Sequence, residues 1–275
     1  MDLKEKIAIV TGASRGVGAA VAVALAQAGA DVACAARATR DNPLPIPGTI
    51  QDTVERIEAI GRHALAVPTN LAKEEEVERM VQSTIDHFGR VDILVNNAAI
   101  TFPGDLDLPL KRHDLIMEVN LRAPLIAMRA VAPGMKKRRE GAILNVSSAA
   151  ALNVLPGLMS YGISKIALER LTLDAAEQLR PYGVAVNCFR IDIAVASEGF
   201  VWNQPDADHD TWEPTEVAAE GALWMLRQPP SYTGQLAGMK QLRDSEGIMM
   251  SKAKKPSEDN TALRRSWVEQ GAAEE

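Results

Sequence analysis

The chain has 275 residues, 47% of them apolar and 24% charged, with a formal net charge of −6; these figures describe one globular domain large enough for a sizeable core. Beyond 136–139 there is no basic block, so the clustered positive face that a nucleic-acid partner requires is missing. No run of about 18 apolar residues predicts a membrane span, and the start MDLKEKIAIV lacks the apolar core and cleavage site of a secretion signal, which predicts a cytoplasmic protein.

In chain order, 6–11 is a short β-branched run, followed by a Gly-rich turn and an Ala/Val/Leu stretch over 18–28 that Gly29 closes. Strand-like runs recur at 31–36, 64–67, 91–95, 142–146 and 183–189, with a weak strand expected near 234–239. Helix-length segments separate them, and that alternation predicts a parallel sheet covered on both faces. Helices are expected over 73–87, about 113–132, 160–180 and about 215–227, the third stopped by Pro181 and Gly183. Pro43, Pro45 and Pro47 forbid a regular ladder over 38–48 and predict a stiff surface loop. The stretch 194–214, with Phe200, Trp202 and Trp212, carries neither period and predicts a lid. Its Asp206, Asp208, His209 and Asp210 are read as solvated rather than as metal ligands, and no metal is expected. Cys34 and Cys188 sit in β-like runs and are read as small buried hydrophobes rather than a disulfide or metal pair. From Asp244 the periodicity fades, which predicts a catalytic domain over 1–243 and a charged tail over 244–275 with a terminal helix around Trp267.

Between the first strand and the first helix stands Thr11-Gly12-Ala13-Ser14-Arg15-Gly16-Val17-Gly18. Its glycines let the backbone approach a pyrophosphate while the helix N-terminus presents unpaired N–H groups, so this placement predicts dinucleotide binding. At the end of the second strand a carboxylate would accept from the adenosine ribose of NAD, whereas a cation would pair with the 2′-phosphate of NADP. Ala36 and Arg37 stand there, and Arg15 lies inside the turn, so NADP(H) is expected in preference to NAD(H). Arg40 is a further candidate, and the alternative is that these arginines are solvated surface charges.

Tyr161 and Lys165 open the best-marked helix at spacing i, i+4, which puts phenol and ammonium on one face. Ser148 stands 13 residues before Tyr161, just past a strand, and Asn120 lies in an earlier helix. A phenol at its ordinary pKa is a poor proton shuttle near neutrality, and a neighbouring ammonium lowers that value. Ser147 competes with Ser148 because side chains alternate along a strand, although the spacing to Tyr161 favours Ser148. The Gly-x-x-x-Gly-x-Gly turn, with Asn120, Ser148, Tyr161 and Lys165 in that order, resembles the short-chain dehydrogenase/reductase family over roughly residues 5–242.

That resemblance implies a single Rossmann-type doubly wound parallel sheet of about seven strands with helices on both faces. It also implies a tetrad in which Tyr161 is the general acid/base, Ser148 orients the substrate oxygen, Lys165 holds the nicotinamide ribose and Asn120 holds a relay water. The implied cofactor contacts are Gly12, Ser14, Arg15, Gly16, Val17, Gly18, Arg37, Asn70, Leu71, Asn97, Ala98, Tyr161, Lys165 and Ile193. Two departures stand out: the family's Asn-Asn-Ala-Gly reads Asn96-Asn97-Ala98-Ala99, and its Pro-Gly after the sixth strand reads Ile191-Asp192, leaving Asp192 without a role beyond the surface. Ser197 replaces a threonine often found a few residues on.

In the family's arrangement Ile100, Phe102, 152–159 and 194–212 would wall the pocket, and the first two walls carry no Arg or Lys, so a hydrophobic alcohol or ketone is expected. The loop 44–50 is similar to one in hydroxysteroid-dehydrogenase-like and citronellol-type members, which points to lipid-like or terpenoid substrates. The leading expectation is an NADP-dependent oxidoreductase for a hydrophobic secondary alcohol or ketone, assembling as a homodimer or homotetramer. The alternatives are a non-catalytic NADP-binding sensor or partner protein, and a non-redox lyase or epimerase use of the same tetrad.

Overall fold

A computed structural model describes residues 1–255; the helix expected around Trp267 lies outside the described residues. Seven strands form one parallel sheet in the order β3-β2-β1-β4-β5-β6-β7. They are β1 (Ile7–Thr11), β2 (Asp31–Ala36), β3 (Ala64–Pro68), β4 (Ile93–Asn96), β5 (Gly141–Ser148), β6 (Val184–Ile191) and β7 (Leu236–Gly238). Both faces are covered, as near-continuous apolar strands require. Alternate residues enter opposite cores: Ala8 and Val10 of β1 pack with α1 (Gly16–Gln27), α2 (Ile50–Glu58) and α8 (Thr215–Arg227), while Ile9 packs with α3 (Glu74–Phe88) and α5 (Ala123–Arg138). Helix α6 (Met159–Leu179) closes that second face. Order reverses between β1 and β4, and in sheets of this kind the crevice at that switch point, beyond the strands' carboxyl ends, is where ligands bind.

The helix expected over about 113–132 is three pieces: α4 (Leu110–Met117), a π-helical turn Glu118–Arg122, and α5, whose first turn carries Pro124. Helix α2 rises straight out of the proline loop because Thr49 and Asp52 form a reciprocal capping box. The stretch expected to be irregular from 194 to 214 contains a six-residue helix, α7 (Glu198–Asn203), and its stems pair at Val195 and Glu213. Helix α9 (Met239–Glu246) runs through the expected domain boundary at 243, and the chain stays attached to the lid as far as Lys255, whose N–H donates to the Asp210 carbonyl at 2.8 Å. Cys34 and Cys188 are free and buried. Among the described residues no helix is long and apolar enough to cross a membrane.

Candidate active site

The glycine turn is built so that no other residue fits. A Cβ on Gly18 would stand 2.3 Å from the Gly12 carbonyl oxygen and 2.4 Å from Asn97 Nδ2, and Gly12 and Gly16 hold φ of +70° and +59°. The Gly12 and Ala13 amides are taken up by the Ala35 carbonyl, at 2.8 and 3.3 Å. Helix α1 has no side-chain cap and no acidic residue in its first turn, so the N–H groups of Gly16, Val17 and Gly18 stay oriented for an anion. Buried Ser14 completes the turn. These features fit a dinucleotide pyrophosphate.

Asn97 braces this cradle: its Nδ2 donates to the Thr11 carbonyl at 2.9 Å, and the Asn97 and Ala98 amides both donate to Thr11 Oγ1. Leu71 lines a small cleft with Ala98 and Thr11. The Asn70 side-chain oxygen, which the resemblance places among the cofactor contacts, accepts from the Ala72 amide at 3.1 Å and closes the turn into α3. Ala99, which replaces the family's glycine, is exposed. Ile193 is buried in the core at the root of the lid.

The arginines behave differently from one another. Arg37 is exposed at the end of β2, and close enough to Arg15 for the two charges to act on each other. Arg15 turns its guanidinium to the proline loop, donating from Nε to the Pro47 carbonyl at 2.7 Å and from Nη2 to that of Gly48 at 2.9 Å. Burial lowers the Arg15 pKa from its ordinary value, with Glu198 opposing and Arg37 adding to the fall. Arg40 is engaged by Asp52 and Glu55 of α2, which removes it as a phosphate ligand in this arrangement.

At the far end of the crevice the structure brings Ser148, Tyr161 and Lys165 together. Gly162 makes this possible, because a Cβ there would stand 2.9 Å from the Ala150 carbonyl oxygen; the turn after β5 therefore rests directly on the start of α6. Strand alternation separates the two serines: Ser147 Oγ donates to Glu169 beneath the site at 2.7 Å, and Ser148 faces Tyr161. Burial raises the Tyr161 phenol above its ordinary pKa, and the Ser148 hydroxyl opposes that rise. The lowering expected from Lys165 is not what sets the phenol here. Lys165 is 2% exposed, its ammonium lies 5.5 Å from the Tyr161 ring centroid, and it donates to the Val146 carbonyl at 2.8 Å. Burial pushes it down to about 8, with the Glu169 carboxylate among the groups opposing.

The widened π-helical turn drives Asn120 inward to full burial. Its amide accepts from the Ile100 N–H at 2.8 Å and donates to the Ile100 carbonyl and to Ser164 Oγ at 2.9 and 3.1 Å. Both N–H groups of the Asn120 amide are thus taken by protein acceptors, and the side chain fixes the pocket wall at Ile100.

The lid descends onto the cradle. Ser197 caps α7 by accepting from the Phe200 amide, and its Cβ lies 3.1 Å from where a Gly16 Cβ would be. The Glu198 carboxylate comes within 3.5 Å of the same point, a feature that sequence reasoning missed. Phe200 stacks on Trp212 at 4.5 Å, and His209 packs edge-on to it, giving the lid its own aromatic core. Asp208 and Asp210 pair with Lys254 and Lys255. Arg112 of α4 lies 5.3 Å from the Phe102 ring centroid, so a cation borders a wall whose own sequence contains none. Asp192, expected to be a surface charge, is half-buried: it accepts from the Lys240 amide at 3.1 Å and ties the end of β6 to the start of α9, and burial raises its pKa above the usual carboxylate value. A Cβ on Gly238 would stand 2.1 Å from its Oδ2, which explains the glycine there.

Comparison with known proteins agrees with this layout. Hydroxysteroid dehydrogenase-like protein 2 from Mus musculus is 34% identical over 242 residues, covering 87% of this chain; the chain spans 49% of that protein's length. A short chain dehydrogenase from Mycobacterium thermoresistibile superimposes with a TM-score of 0.81 at 29% identity, over 93% of this chain and 95% of the other. A metagenomic short-chain oxidoreductase in complex with NADP superimposes with a TM-score of 0.72 at 27% identity, over 86% and 98%. The glycine cradle and the Ser148–Tyr161–Lys165 cluster both fall within what a family model described as short chain dehydrogenase matches, residues 6–196, and the chain belongs to that family.

Proposed function

We propose that the chain is an NADP(H)-dependent oxidoreductase that interconverts a hydrophobic secondary alcohol and its ketone. The observation that carries this reading is the convergence of Ser148, Tyr161 and buried Lys165 at the end of the crevice that the glycine cradle opens. The cradle amides would hold the pyrophosphate, Arg37 and Arg15 the 2′-phosphate, and Ile193 the carboxamide end. For Arg15 this means leaving the Pro47 and Gly48 carbonyls, so the proline loop and the adenosine site are coupled. The cofactor supplies or accepts the hydride.

The remaining steps belong to the chain. Ser148 donates a hydrogen bond to the substrate oxygen and holds it beside the phenol. With the phenol raised by burial, Tyr161 is protonated at neutral pH, so it is ready to give its proton to the oxygen on which negative charge develops during reduction. Lys165, nearby on the same helical face, stabilises the phenolate that remains. In the oxidative direction the phenolate takes the alcohol proton back. Asn120 keeps Ile100 in place, and the lid residues Phe200 and Trp212 exclude water over an apolar substrate.

The bound cofactor of the metagenomic relative and the arginines near the end of β2 support NADP(H). Exposed Leu125 of α5 and Ile163, Ile166 and Leu173 along α6 support assembly as a homodimer or homotetramer through those helices. Residues 1–243 are proposed as the catalytic unit and 244–275 as the segment that follows it, of which 244–255 pack on the core and the lid.

The test is consumption of NADPH and of NADH against a panel of hydrophobic ketones and aldehydes, with Tyr161→Phe as the control. The expected result is a turnover loss of about 10²–10⁴-fold in the variant with NADPH binding retained. Tighter binding of NADH than of NADPH would overturn the cofactor assignment. NADPH binding without turnover of any panel member in either direction would favour a sensor, and product formation without net cofactor consumption would favour a lyase or epimerase.

A further inference from the structure

Beneath the Tyr161–Lys165 pair lies a second polar cluster, which the proposed chemistry does not use. Glu169 stands one helical turn beyond Lys165 on the same face of α6 and is 4% exposed. Its Oε1 accepts from Ser147 Oγ of β5 at 2.7 Å and from Arg190 Nε of β6 at 2.9 Å, and its Oε2 accepts from Arg190 Nη2 at 2.8 Å. Ser147 and Arg190 sit opposite each other in the β5–β6 register, so the carboxylate grips both strands at their ends, next to Ser148. The Arg190 and Glu169 side chains are only 10% and 6% exposed.

Stability alone does not explain this cluster. Replacing a buried ion pair with packed apolar residues is commonly neutral or stabilising, because the desolvation of both charges offsets their attraction. What an apolar filling would not supply is an anion beside Lys165, whose ammonium burial works to deprotonate. The groups that bear on Lys165 come from three elements. Tyr161 and Glu169 lie on α6. Cys188 and Arg190 lie on β6, and burial pushes the Cys188 thiol up to about 12, so it is neutral near pH 7. The Val146 carbonyl and Ser147 lie on β5. Among these, Glu169 is the anion.

We propose that Glu169 is a positioning residue of the oxidoreductase: locked by Arg190 and Ser147, it sets a buried carboxylate one helical turn from the Lys165 ammonium and holds the first turns of α6 in register with the end of β5. The role in turnover rests on the oxidoreductase reading above; the effect on Lys165 does not. Glu169→Gln keeps the shape and removes the charge, Glu169→Asp keeps the charge and shortens the reach, and Glu169→Leu with Arg190→Met replaces the pair with apolar volume.

In the 275-residue chain carrying ¹³C-labelled lysine, the Lys165 Cε resonance, identified by its loss in Lys165→Met, reports the titration of the ammonium without cofactor or substrate. The expected result is a midpoint lower by about one pH unit in Glu169→Gln, with Glu169→Asp staying nearer to wild type than to Gln. In turnover, the acid limb of the oxidation profile should move to higher pH in Gln, because a less charged Lys165 stabilises the phenolate less. A purely structural role would lower melting temperature and activity at every pH and leave the Lys165 midpoint in place, and an unchanged midpoint in Glu169→Gln would overturn the proposal. If that variant does not fold, the double substitution is read in its place: because it removes the anion together with its more distant cation, a smaller fall of the Lys165 midpoint in the same direction is expected, and a rise overturns the proposal. A wild type without turnover would defeat the oxidoreductase reading while the titration still decides the role of Glu169.

Discussion

Glu213 marks where the lid returns to the body, and Arg243→Met tests what holds it there. The stems are zipped by the Glu213 amide on the Ala194 carbonyl at 2.9 Å and the Ala196 amide on the Glu213 carbonyl at 2.8 Å. The Glu213 carboxylate, 4% exposed, accepts from Arg243 Nη2 and from the Lys252 amide, both at 2.8 Å, and Arg243 Nε donates to the Met249 carbonyl at 2.7 Å. Methionine keeps the apolar stem and removes both donations. Breaking a buried pair by deleting one partner costs about 3–5 kcal/mol; Arg243 is 24% exposed, so water compensates in part and about 2–3 kcal/mol is expected. For a chain of this size that corresponds to a fall in Tm of about 5–10 °C by circular dichroism. Because the lid covers the proposed substrate pocket, KM should rise by more than kcat falls. Burial pushes the Glu213 pKa up, but the Lys252 amide, Arg243 and Ser251 together hold it below the usual carboxylate value. A carboxylate so depressed stabilises the fold above its unfolded pKa and loses that contribution as pH falls through the folded value. The Tm gap between wild type and variant should therefore be full at pH 7 and shrink below pH ~4. A gap of under about 1 °C at pH 7, or one that widens on acidification, would refute the latch.

Gly18→Ala should abolish NADPH binding, read by quenching of protein fluorescence, because the added methyl lies 2.3 Å from the Gly12 carbonyl oxygen and the turn must open to admit it; retained affinity would show that the cradle is not the binding site. Glu198→Gln should tighten NADPH binding by about two- to fivefold at low salt, with the difference fading at high salt, since an exposed carboxylate beside Gly16 repels a pyrophosphate across screened solvent. A looser complex in that variant would mean that Glu198 helps to close the lid on the cofactor.

How much of this was legible in the sequence depended on how far apart the interacting residues lie along the chain. Local patterns were enough for the strands, for the glycine turn and for α8, since apolar period, turn chemistry and capping act within a few residues. The Thr49–Asp52 capping box was equally local, but the prolines before it directed attention to a loop. The intramolecular contacts of Arg15, Asp192 and Glu198 went unread for a different reason. Each finds its partner across the fold, at Pro47, Lys240 and the cradle respectively, and nothing near it in the chain names that partner. Ser147 and Ser148 show both regimes at once: strand alternation says that they face opposite ways, whereas which of them meets Tyr161 depends on Gly162 letting the turn after β5 rest on α6. Arg190 is the most instructive. The strand expected over 183–189 stops short of it, whereas β6 runs on to Ile191 and buries the Arg190 cation, which then requires a buried anion by solvation physics alone. That anion, Glu169, looks like any helical glutamate, and only the pairing of Ser147 with Arg190 across β5 and β6, under the helix that carries Tyr161 and Lys165, identifies the carboxylate and places it beside the ammonium.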